Sequence, residues 1–240
     1  MPLYAVLEAQ IAAGIADGEF PVGSQLPTEN DLIGRFAVSR TTVRKAIQNL
    51  ADRGFVEIRR GTGTFVAQPR ITQELTELTG FVEDMDALGY ASSARLVDQG
   101  VVAADARITQ HLGLPVGAHV MRIRRVRLAN GVGMSLDETY LPVEIGKKIV
   151  THDLEAQPIF TLLEQRYDIA LVEAEYKLEA TSADQDVAAA LEVEVGSPIF
   201  LIERTSYTVG ARPIDYEKLH YRGDLIRFRT RLARRKPASV

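Results

Sequence analysis

The spacing of apolar residues predicts three helices and a β-hairpin in residues 1–68. Apolar residues recur at three- and four-residue steps and would form one face of a first helix, at Leu3, Val6, Leu7, Ile11 and Ile15. TENDLIGRF predicts a second helix, because Thr28 can cap its start and its apolar residues fall on one side. A third helix is predicted in VSRTTVRKAIQNL, and FVEIRRGTGTFVA alternates like two strands around a glycine turn. This order of elements predicts a winged helix-turn-helix domain.

The third predicted helix separates an apolar face from a basic one. Ser39 can cap it, and its inward positions are Val43, Ala46, Ile47 and Leu50. The outward positions near its start are Arg40, Thr41, Arg44 and Lys45. In a winged helix-turn-helix domain this end enters the major groove of DNA, where arginine can bind guanine through two hydrogen bonds. The hairpin tip would then approach the neighbouring backbone or the minor groove.

Charge is concentrated in the same region. The whole chain has a net charge of -4, but residues 35–70 contain eight cations and two anions, a surplus of six positive charges. The local surplus matters more than the total, because attraction to phosphates is screened beyond about 8 Å. The charge distribution therefore favours a double-stranded DNA partner.

The amino-acid composition bears on disulfides, metal sites and membrane segments. The chain has 240 residues, enough for two domains, and it contains no cysteine, so disulfides and thiolate metal sites are excluded. Its four histidines are scattered, and we expect neither a metal nor a cofactor. No apolar run approaches the roughly 18 residues of a membrane span, and the N-terminus lacks the pattern of a signal peptide. We therefore expect a cytoplasmic protein with no membrane partner.

The C-terminal half has a different pattern, which begins after a predicted linker at 69–76. Residues 77–233 predict strands near 94–102, 118–129, 133–141, 171–181, 198–208, 213–221 and 225–232. Helices are predicted at 79–90, 103–113, 157–167 and 182–192. The short links ANGVG and VGARP require hairpins, so we expect an α+β domain with a mainly antiparallel sheet and helices on one side. No tandem repeat is apparent, and residues 234–240 are predicted to be a disordered tail.

Strand alternation in VMRIRRVRL suggests where a ligand would bind. Met121, Ile123, Arg125 and Arg127 share one face. If the first two face the core, two guanidinium groups lie together at its edge, which is unfavourable unless an anion pairs with them. A carboxylate or phosphate ligand would supply that anion. Alternatively, acidic side chains elsewhere in the sheet pair with both arginines permanently.

The block LPTENDLIGRFAVSRTTVRKAIQNLADRGFVEIRRGTGTFV resembles the DNA-binding domain of GntR-family bacterial transcription regulators. The resemblance implies that the third helix and the wing contact DNA, and Asn30 stands where many relatives carry arginine. The predicted DNA-contacting residues are Asn30, Arg35, Ser39, Arg40, Thr41, Thr42, Arg44, Arg60, Gly61, Thr62 and Gly63.

Residues 75–232 resemble the UTRA effector-binding domain of the HutC branch of that family, whose fold is similar to chorismate lyase. LTGFVEDMDALG, LDETYLP, GSPIFLIERTSY and RPIDYEKLHYRGDLIRF carry this resemblance. It implies that Arg125 and Arg127 bind the anionic group of the effector. The other implied effector contacts are the polar residues Asp137, Asp215 and Tyr221, the covering backbone amides of Phe81 and Val82, the apolar wall residue Phe160, and Pro158, where relatives that bind amino-sugar phosphates present a serine. Those relatives also carry glutamate at the position of Asp215.

These observations predict a homodimeric repressor that a small anionic metabolite, a sugar phosphate or a carboxylate, releases from a pseudo-palindromic operator. Two alternatives remain. One is a lyase or hydrolase on the chorismate-lyase-like scaffold, in which Asp137 or Asp215 transfers protons. The other is a DNA-binding protein whose C-terminal half serves only dimerisation.

Overall fold

The computed structural model describes residues 2–67, 71–75 and 78–232. The chain divides into two compact units, Met1–Ile71 and Thr72–Val240. The predicted tail at 234–240 lies outside the described residues, as do residues 69, 70 and 76 of the predicted linker. The described part of that linker contains a strand that the sequence did not predict, Ile71–Glu74.

The first unit consists of three helices and a hairpin. They are α1 (Leu3–Ala16), α2 (Glu29–Phe36), α3 (Arg40–Asp52), β1 (Val56–Arg59) and β2 (Gly63–Val66). The predicted cap of α2 is confirmed, because the Thr28 hydroxyl accepts a hydrogen bond from the Asp31 amide and the Asp31 carboxylate accepts one from the Thr28 amide. The inward stripe predicted for α3 is also confirmed, since all four of its residues are buried.

The second unit is built on a six-stranded antiparallel sheet in the order β4-β5-β6-β9-β8-β7. A separate two-stranded sheet pairs β3 with β10. The strands are β3 (Ile71–Glu74), β4 (Ser92–Ala103), β5 (His119–Ala129), β6 (Val132–Pro142), β7 (Glu173–Ser182), β8 (Pro198–Thr208), β9 (Arg212–Arg222) and β10 (Ile226–Arg229). The helices are α4 (Phe81–Ala87), α5 (Ala106–Leu112), α6 (Val143–Ile149), α7 (Ile159–Thr161), which continues as a π-helical turn (Leu162–Arg166), and α8 (Gln185–Leu191). All seven predicted strands are present.

Helices cover both faces of the large sheet, so the expectation of helices on one side is wrong. On one face, Val126 and Leu136 pack with α8 residues such as Val187. On the other face, Met121 and Ile123 pack with residues of α6, α7 and the π-helical turn. The central strands bury side chains of both parities, and each face therefore needs its own cover.

The sequence did not predict α6, whose packing depends on Gly146. A Cβ atom at this glycine would lie 2.1 Å from Met121 Cβ. Because no side chain fits in that space, α6 can lie directly against β5 only with glycine at the contact. In the sequence, the same glycine weakens the helical pattern.

A βαββ unit occurs twice in the sheet, although no repeat was apparent in the sequence. The first copy is β4-α5-β5-β6 and the second is β7-α8-β8-β9, and the two meet where β6 pairs with β9. Both helices are capped by an aspartate, Asp105 or Asp184. Both hairpins carry a register shift at the same place, after Arg127 in one copy and after Ser206 in the other. These matched features align the copies residue by residue.

Charge reversal between the copies helps to conceal the repeat. Arg107, two residues after the cap of α5, pairs with Glu203 of β8. Asp186, two residues after the cap of α8, pairs with Arg124 of β5. Each helix thus contacts the strand of the other copy through an ion pair at an equivalent position, but with the charges exchanged. A comparison that looks for similar residues at matching positions therefore does not detect the repeat.

We expect Arg107→Asp to destabilise the protein by about 2–3 kcal/mol, because Glu203 is only 2% exposed and would face a like charge instead of its partner. Arg95→Asp is the matched control, since it reverses the charge of an exposed arginine that lies 3.9 Å from the exposed Glu192. The control should cost within about 0.5 kcal/mol. Urea unfolding measures both values, and equal costs would contradict a structural role for the Arg107–Glu203 pair.

Candidate functional site

A cluster of hydroxyl groups lies at the start of α3. Ser39 caps the helix, and its Oγ accepts a hydrogen bond from the Thr42 amide at 3.2 Å. The same oxygen lies 2.8 Å from the hydroxyl oxygens of both Thr41 and Thr42. Ser39 and Thr41 are exposed. This end of α3 therefore presents the backbone and side-chain donors that bind phosphates at a helix N-terminus.

Residues of α2 hold the two arginines of α3. Arg40 Nη2 donates to Asn30 Oδ1 at 2.7 Å, and Arg44 Nε donates to the two Glu29 carboxylate oxygens at 2.9 and 3.1 Å. The sequence predicted Asn30 as a DNA contact, and in the structure it orients Arg40. Exposed ion pairs contribute only about 0–1 kcal/mol, so Arg44 can exchange Glu29 for another anion at little cost.

The hairpin tip is a tight turn that requires glycine. The Thr62 amide donates to the Arg59 carbonyl at 3.0 Å, and Gly61 has a φ of 77°. This conformation is typical of the third residue of a type II turn and strongly favours glycine. Gln25 Nε2 donates to the Thr62 carbonyl at 3.0 Å and supports the turn from outside. Arg60 is exposed at the tip, as the predicted DNA contact requires.

Arg35, another predicted DNA contact, has partners within its own unit. Its Nη1 lies 2.6 Å from Glu19 Oε1, and its guanidinium lies 5.1 Å from the centre of the Phe36 ring. The side chain is still about half exposed. Contact with DNA would therefore require Arg35 to leave Glu19 or to bind with its free edge.

A second candidate site lies in the sheet of the second unit, where Arg125 and Arg127 are both buried. Arg125 Nη1 donates to the Leu154 carbonyl at 3.3 Å, and no carboxylate of the described residues lies within 4.0 Å of its guanidinium. Burial and the neighbouring Arg127 lower the pKa of Arg125 to about 10. Within the described part of the chain, the Nε atoms of both arginines have no hydrogen-bond partner. The two guanidinium groups of Arg125 and Arg127 therefore have too few neighbouring negative charges to balance them.

One carboxylate lies beside these arginines without fully compensating them. Asp137 Oδ2 is 4.0 Å from Arg127 Nε, which is too long for a hydrogen bond. Its Oδ1 accepts a hydrogen bond from Ser135 Oγ at 2.6 Å. Burial raises the pKa of Asp137, and Arg127 opposes that rise. Tyr221, directly across from Ser135 in β9, is buried, and its pKa is raised by burial and then by Asp137.

Permanent pairing with acidic side chains, the alternative to an anionic ligand, is seen for two other arginines of β5. Arg122 and Arg124, on the opposite face, bind Asp98 at 3.0 and 3.1 Å. Arg124 also pairs with Asp186. The arginines of the candidate site have no comparable partners, and Arg125 has no ion pair at all among the described residues. Permanent pairing therefore does not account for Arg125.

At the equivalent positions of the second βαββ copy, the sequence identified Asp215 but neither Arg204 nor Glu217. Arg204 pairs with Glu217, and Arg204 Nη1 donates to the Tyr176 hydroxyl at 3.1 Å. Asp215 Oδ1 accepts a hydrogen bond from the Ser206 amide at 3.2 Å, and Asp215 Oδ2 has no hydrogen-bond partner among the residues that the structure describes. Burial, followed by the charge of Glu217, raises the pKa of Asp215 to about 7. Alignment of the two copies would have identified Arg204 as the counterpart of Arg125.

Aromatic rings cover both halves of this candidate site. The Phe81 ring centre lies 5.0 Å from the Arg127 guanidinium, and the Phe160 ring centre lies 4.4 Å from that of Arg204. Val82, which follows Phe81 in α4, and Pro158, which precedes α7, are half-buried, and no polar contact ties either one to the site. Of the nine residues predicted from the sequence, the structure thus groups seven around the charged cluster.

Protonation of Asp215 should make stability depend on pH. The folded protein keeps this proton up to about pH 7, whereas an unfolded aspartate loses it near pH 4. Folding takes up a proton between these values, so the free energy of unfolding falls as pH rises from 5 to 8, by about 2 kcal/mol from this group. In Asp215→Asn this part of the decrease should disappear. Urea unfolding at several pH values tests it, and parallel curves for the two proteins would contradict it.

In the described part of the chain, no group of three or more histidine and acidic side chains is arranged to hold a metal ion. None of the helices described combines the length and the apolar character that a membrane span requires.

Comparison with known proteins identifies both units. Residues 3–66 match the family described as bacterial regulatory proteins, gntR family, and residues 87–227 match the UTRA domain. The HTH-type transcriptional repressor NagR of Bacillus subtilis (strain 168) is 31% identical over 228 residues, 95% of this chain and 93% of that protein. The histidine utilization repressor of Pseudomonas putida is 27% identical over 233 residues, 97% of this chain and 93% of that protein.

A solved structure supports the same assignment. The crystal structure of PhnF from Mycobacterium smegmatis has a TM-score of 0.73 and 30% sequence identity, and the match covers 95% of this chain and 100% of that chain. NagR and the histidine utilization repressor are transcription regulators, which decides against the enzyme interpretation. The chain therefore belongs to the GntR family of bacterial transcription regulators, in the HutC branch that joins a DNA-binding winged helix to a UTRA effector-binding domain.

Proposed function

We propose that this regulator is a cytoplasmic, homodimeric repressor that leaves its operator when a small anion binds beside Arg125 and Arg127. The observation that carries the proposal is the uncompensated charge of Arg125, which is 3% exposed and has no carboxylate within 4.0 Å among the described residues. A buried cation without an ion-pair partner costs several kcal/mol in an unliganded fold. A bound carboxylate or phosphate would recover that cost.

The proposed DNA contacts follow from the exposed end of α3. Arg40 and Arg44 are exposed there and are held by side chains of α2, Asn30 and Glu29. Arginine at this end of a recognition helix can read guanine, while hydroxyl groups and wing amides bind phosphates. A two-fold dimer would present two such helices to a pseudo-palindromic operator, one for each half-site.

Thermal unfolding with and without anions tests the anion-binding part of this proposal. Inorganic phosphate and glucose 6-phosphate, compared with chloride at matched ionic strength, should raise the melting temperature, because a ligand that binds only the folded state stabilises it. If no anion shifts the melting temperature, the C-terminal unit acts only in dimerisation and the proposal fails.

A further inference from the structure

Asn30 and Arg40 form a contact between the two helices of the helix-turn-helix. Asn30 Oδ1 accepts a hydrogen bond from Arg40 Nη2 at 2.7 Å, and both side chains are exposed. The amide must face Arg40 through its oxygen, because a guanidinium group donates hydrogen bonds and accepts none. The contact therefore fixes the orientation of both side chains.

Both residues lie in capped first turns, so the backbone on each side of the contact is held in place. In α2, the Thr28 hydroxyl accepts from the Asp31 amide and the Asp31 carboxylate accepts from the Thr28 amide. In α3, Ser39 is the cap and Arg40 is the first helical residue. The long side chain of Arg40 is then the main source of freedom, and its hydrogen bond to Asn30 restrains it.

The contact with Asn30 leaves Arg40 able to bind a guanine. A guanidinium group has five N–H donors, which form two edges of two donors each. Nη2 contributes one hydrogen to each edge, so a single bond to Asn30 leaves the other edge complete. One complete edge is what a guanine requires, because it accepts at O6 and N7 together.

Asn30 also orients Arg40 without neutralising its charge. Among the described residues, no carboxylate forms an ion pair with Arg40, whereas Arg44, one turn further along α3, is paired with Glu29. A neutral acceptor keeps the full charge of Arg40 for the DNA. Arg44 keeps its full charge only after it leaves Glu29. The start of α2 therefore holds Arg40 ready to bind and Arg44 in a compensated state.

From these contacts we infer that Asn30 is a positioning residue for sequence recognition, which holds the Arg40 guanidinium in the orientation that reads one guanine and reads no base itself. The inference rests on the proposed function, because it needs Arg40 to contact DNA. The rival role for an asparagine is to read adenine, by accepting at its oxygen while it donates from its nitrogen. The oxygen of Asn30 already accepts from Arg40, which favours the positioning role.

A double-mutant cycle on the full-length protein tests the inference. The probe is an operator duplex that the wild-type protein selects from random-sequence DNA, together with duplexes that change one base pair at a time. Arg40→Ala should remove the preference at one G·C pair of each half-site. Asn30→Ala should weaken operator binding about two- to ten-fold, the cost of ordering one long side chain, and reduce the preference at that same pair. In the Arg40→Ala background, Asn30→Ala should have no further effect.

Two further variants separate positioning from charge and from general effects on α3. Asn30→Asp keeps an acceptor for Arg40, so the preference at that G·C pair should be retained. Its affinity for every sequence should fall, because the new anion lies near the phosphates. Gln48→Ala removes an exposed amide that donates to Asp52 within α3, and it should change neither affinity nor preference.

Other results would separate this inference from the proposed function. If Asn30→Ala weakens binding equally in the wild-type and Arg40→Ala backgrounds, Asn30 contacts DNA by itself and the inference is overturned. It is also overturned if Asn30→Ala changes nothing, or alters the preference at an A·T pair instead. If Arg40→Ala binds the operator as tightly as the wild type, the proposed DNA contact of Arg40 fails, and the inference fails with it.

Discussion

Reversing the charge of both Arg40 and Arg44 to glutamate is expected to weaken operator binding by at least about a hundred-fold. Each arginine that reads a guanine through two hydrogen bonds contributes about 1–3 kcal/mol, and about 1.4 kcal/mol corresponds to ten-fold in affinity. The reversal also places two anions against the phosphate backbone. Both side chains are exposed, so the fold should tolerate the change. Fluorescence anisotropy on an operator selected from random-sequence DNA measures the effect.

Arg53→Glu is the control for the double reversal. Arg53 caps the C-terminal end of the same helix, is about half exposed and lies 3.9 Å from Glu8. A general loss of positive charge would weaken binding in both proteins. We expect only a small loss for Arg53→Glu, because the proposed DNA contacts lie at the opposite end of α3. A double reversal that binds the operator as tightly as the wild type would show that α3 is not the recognition helix.

Replacing Arg125 with methionine is expected to abolish anion binding and to stabilise the protein at the same time. The guanidinium is buried without a carboxylate partner, so removing its charge should relieve a cost of about 1–4 kcal/mol while keeping most of the packing volume. The same change removes the principal cation of the proposed effector site. The operator complex of Arg125→Met should therefore form normally and no longer respond to anions. Melting temperature and anisotropy measure the two effects.

Arg122→Met provides the comparison on the same strand. Arg122 faces the opposite side of β5 and donates to Asp98 at 3.0 Å. Its removal should slightly destabilise the protein and leave the response to anions unchanged. The opposite pattern, in which Arg125→Met is strongly destabilised and Arg122→Met loses its response to anions, would contradict the placement of the site.

The first unit was largely predictable from the sequence, because local signals determine its elements. Ser39 and Thr28 cap the predicted helices, and the apolar stripe of α3 is buried as expected. The partners of the exposed arginines were not predictable. Arg44 binds Glu29, fifteen residues away, and only the tertiary arrangement of α2 and α3 brings these residues together.

The second unit was predictable in its strands and less so in its site. Alternation in β5 placed Arg125 and Arg127 on one face, and the structure confirms that placement. Alternation does not show which strands become neighbours. The sequence therefore did not identify Arg204, which occupies in the second βαββ copy the position that Arg125 occupies in the first. The repeat itself was hidden by exchanged charges, such as Arg124 in one copy and Glu203 in the other.

Effector control of DNA binding requires a difference in affinity between two states of the protein. An anion that binds equally well to the free and the DNA-bound regulator cannot release the operator, however tightly it binds. If the anion prefers the free state, DNA must weaken anion binding by the same factor. In the proposed mechanism, the unpaired charge of Arg125 would supply the energy for anion binding, and titration of the operator complex measures the preference for one state.

Titrating inorganic phosphate and glucose 6-phosphate into the complex of the full-length protein with its operator, at constant ionic strength, tests this account most directly. We expect anisotropy to report release of the DNA by the compound that raises the melting temperature more, and no release from the Arg125→Met complex. Binding of that compound to the wild-type complex without any change in operator affinity would contradict the account.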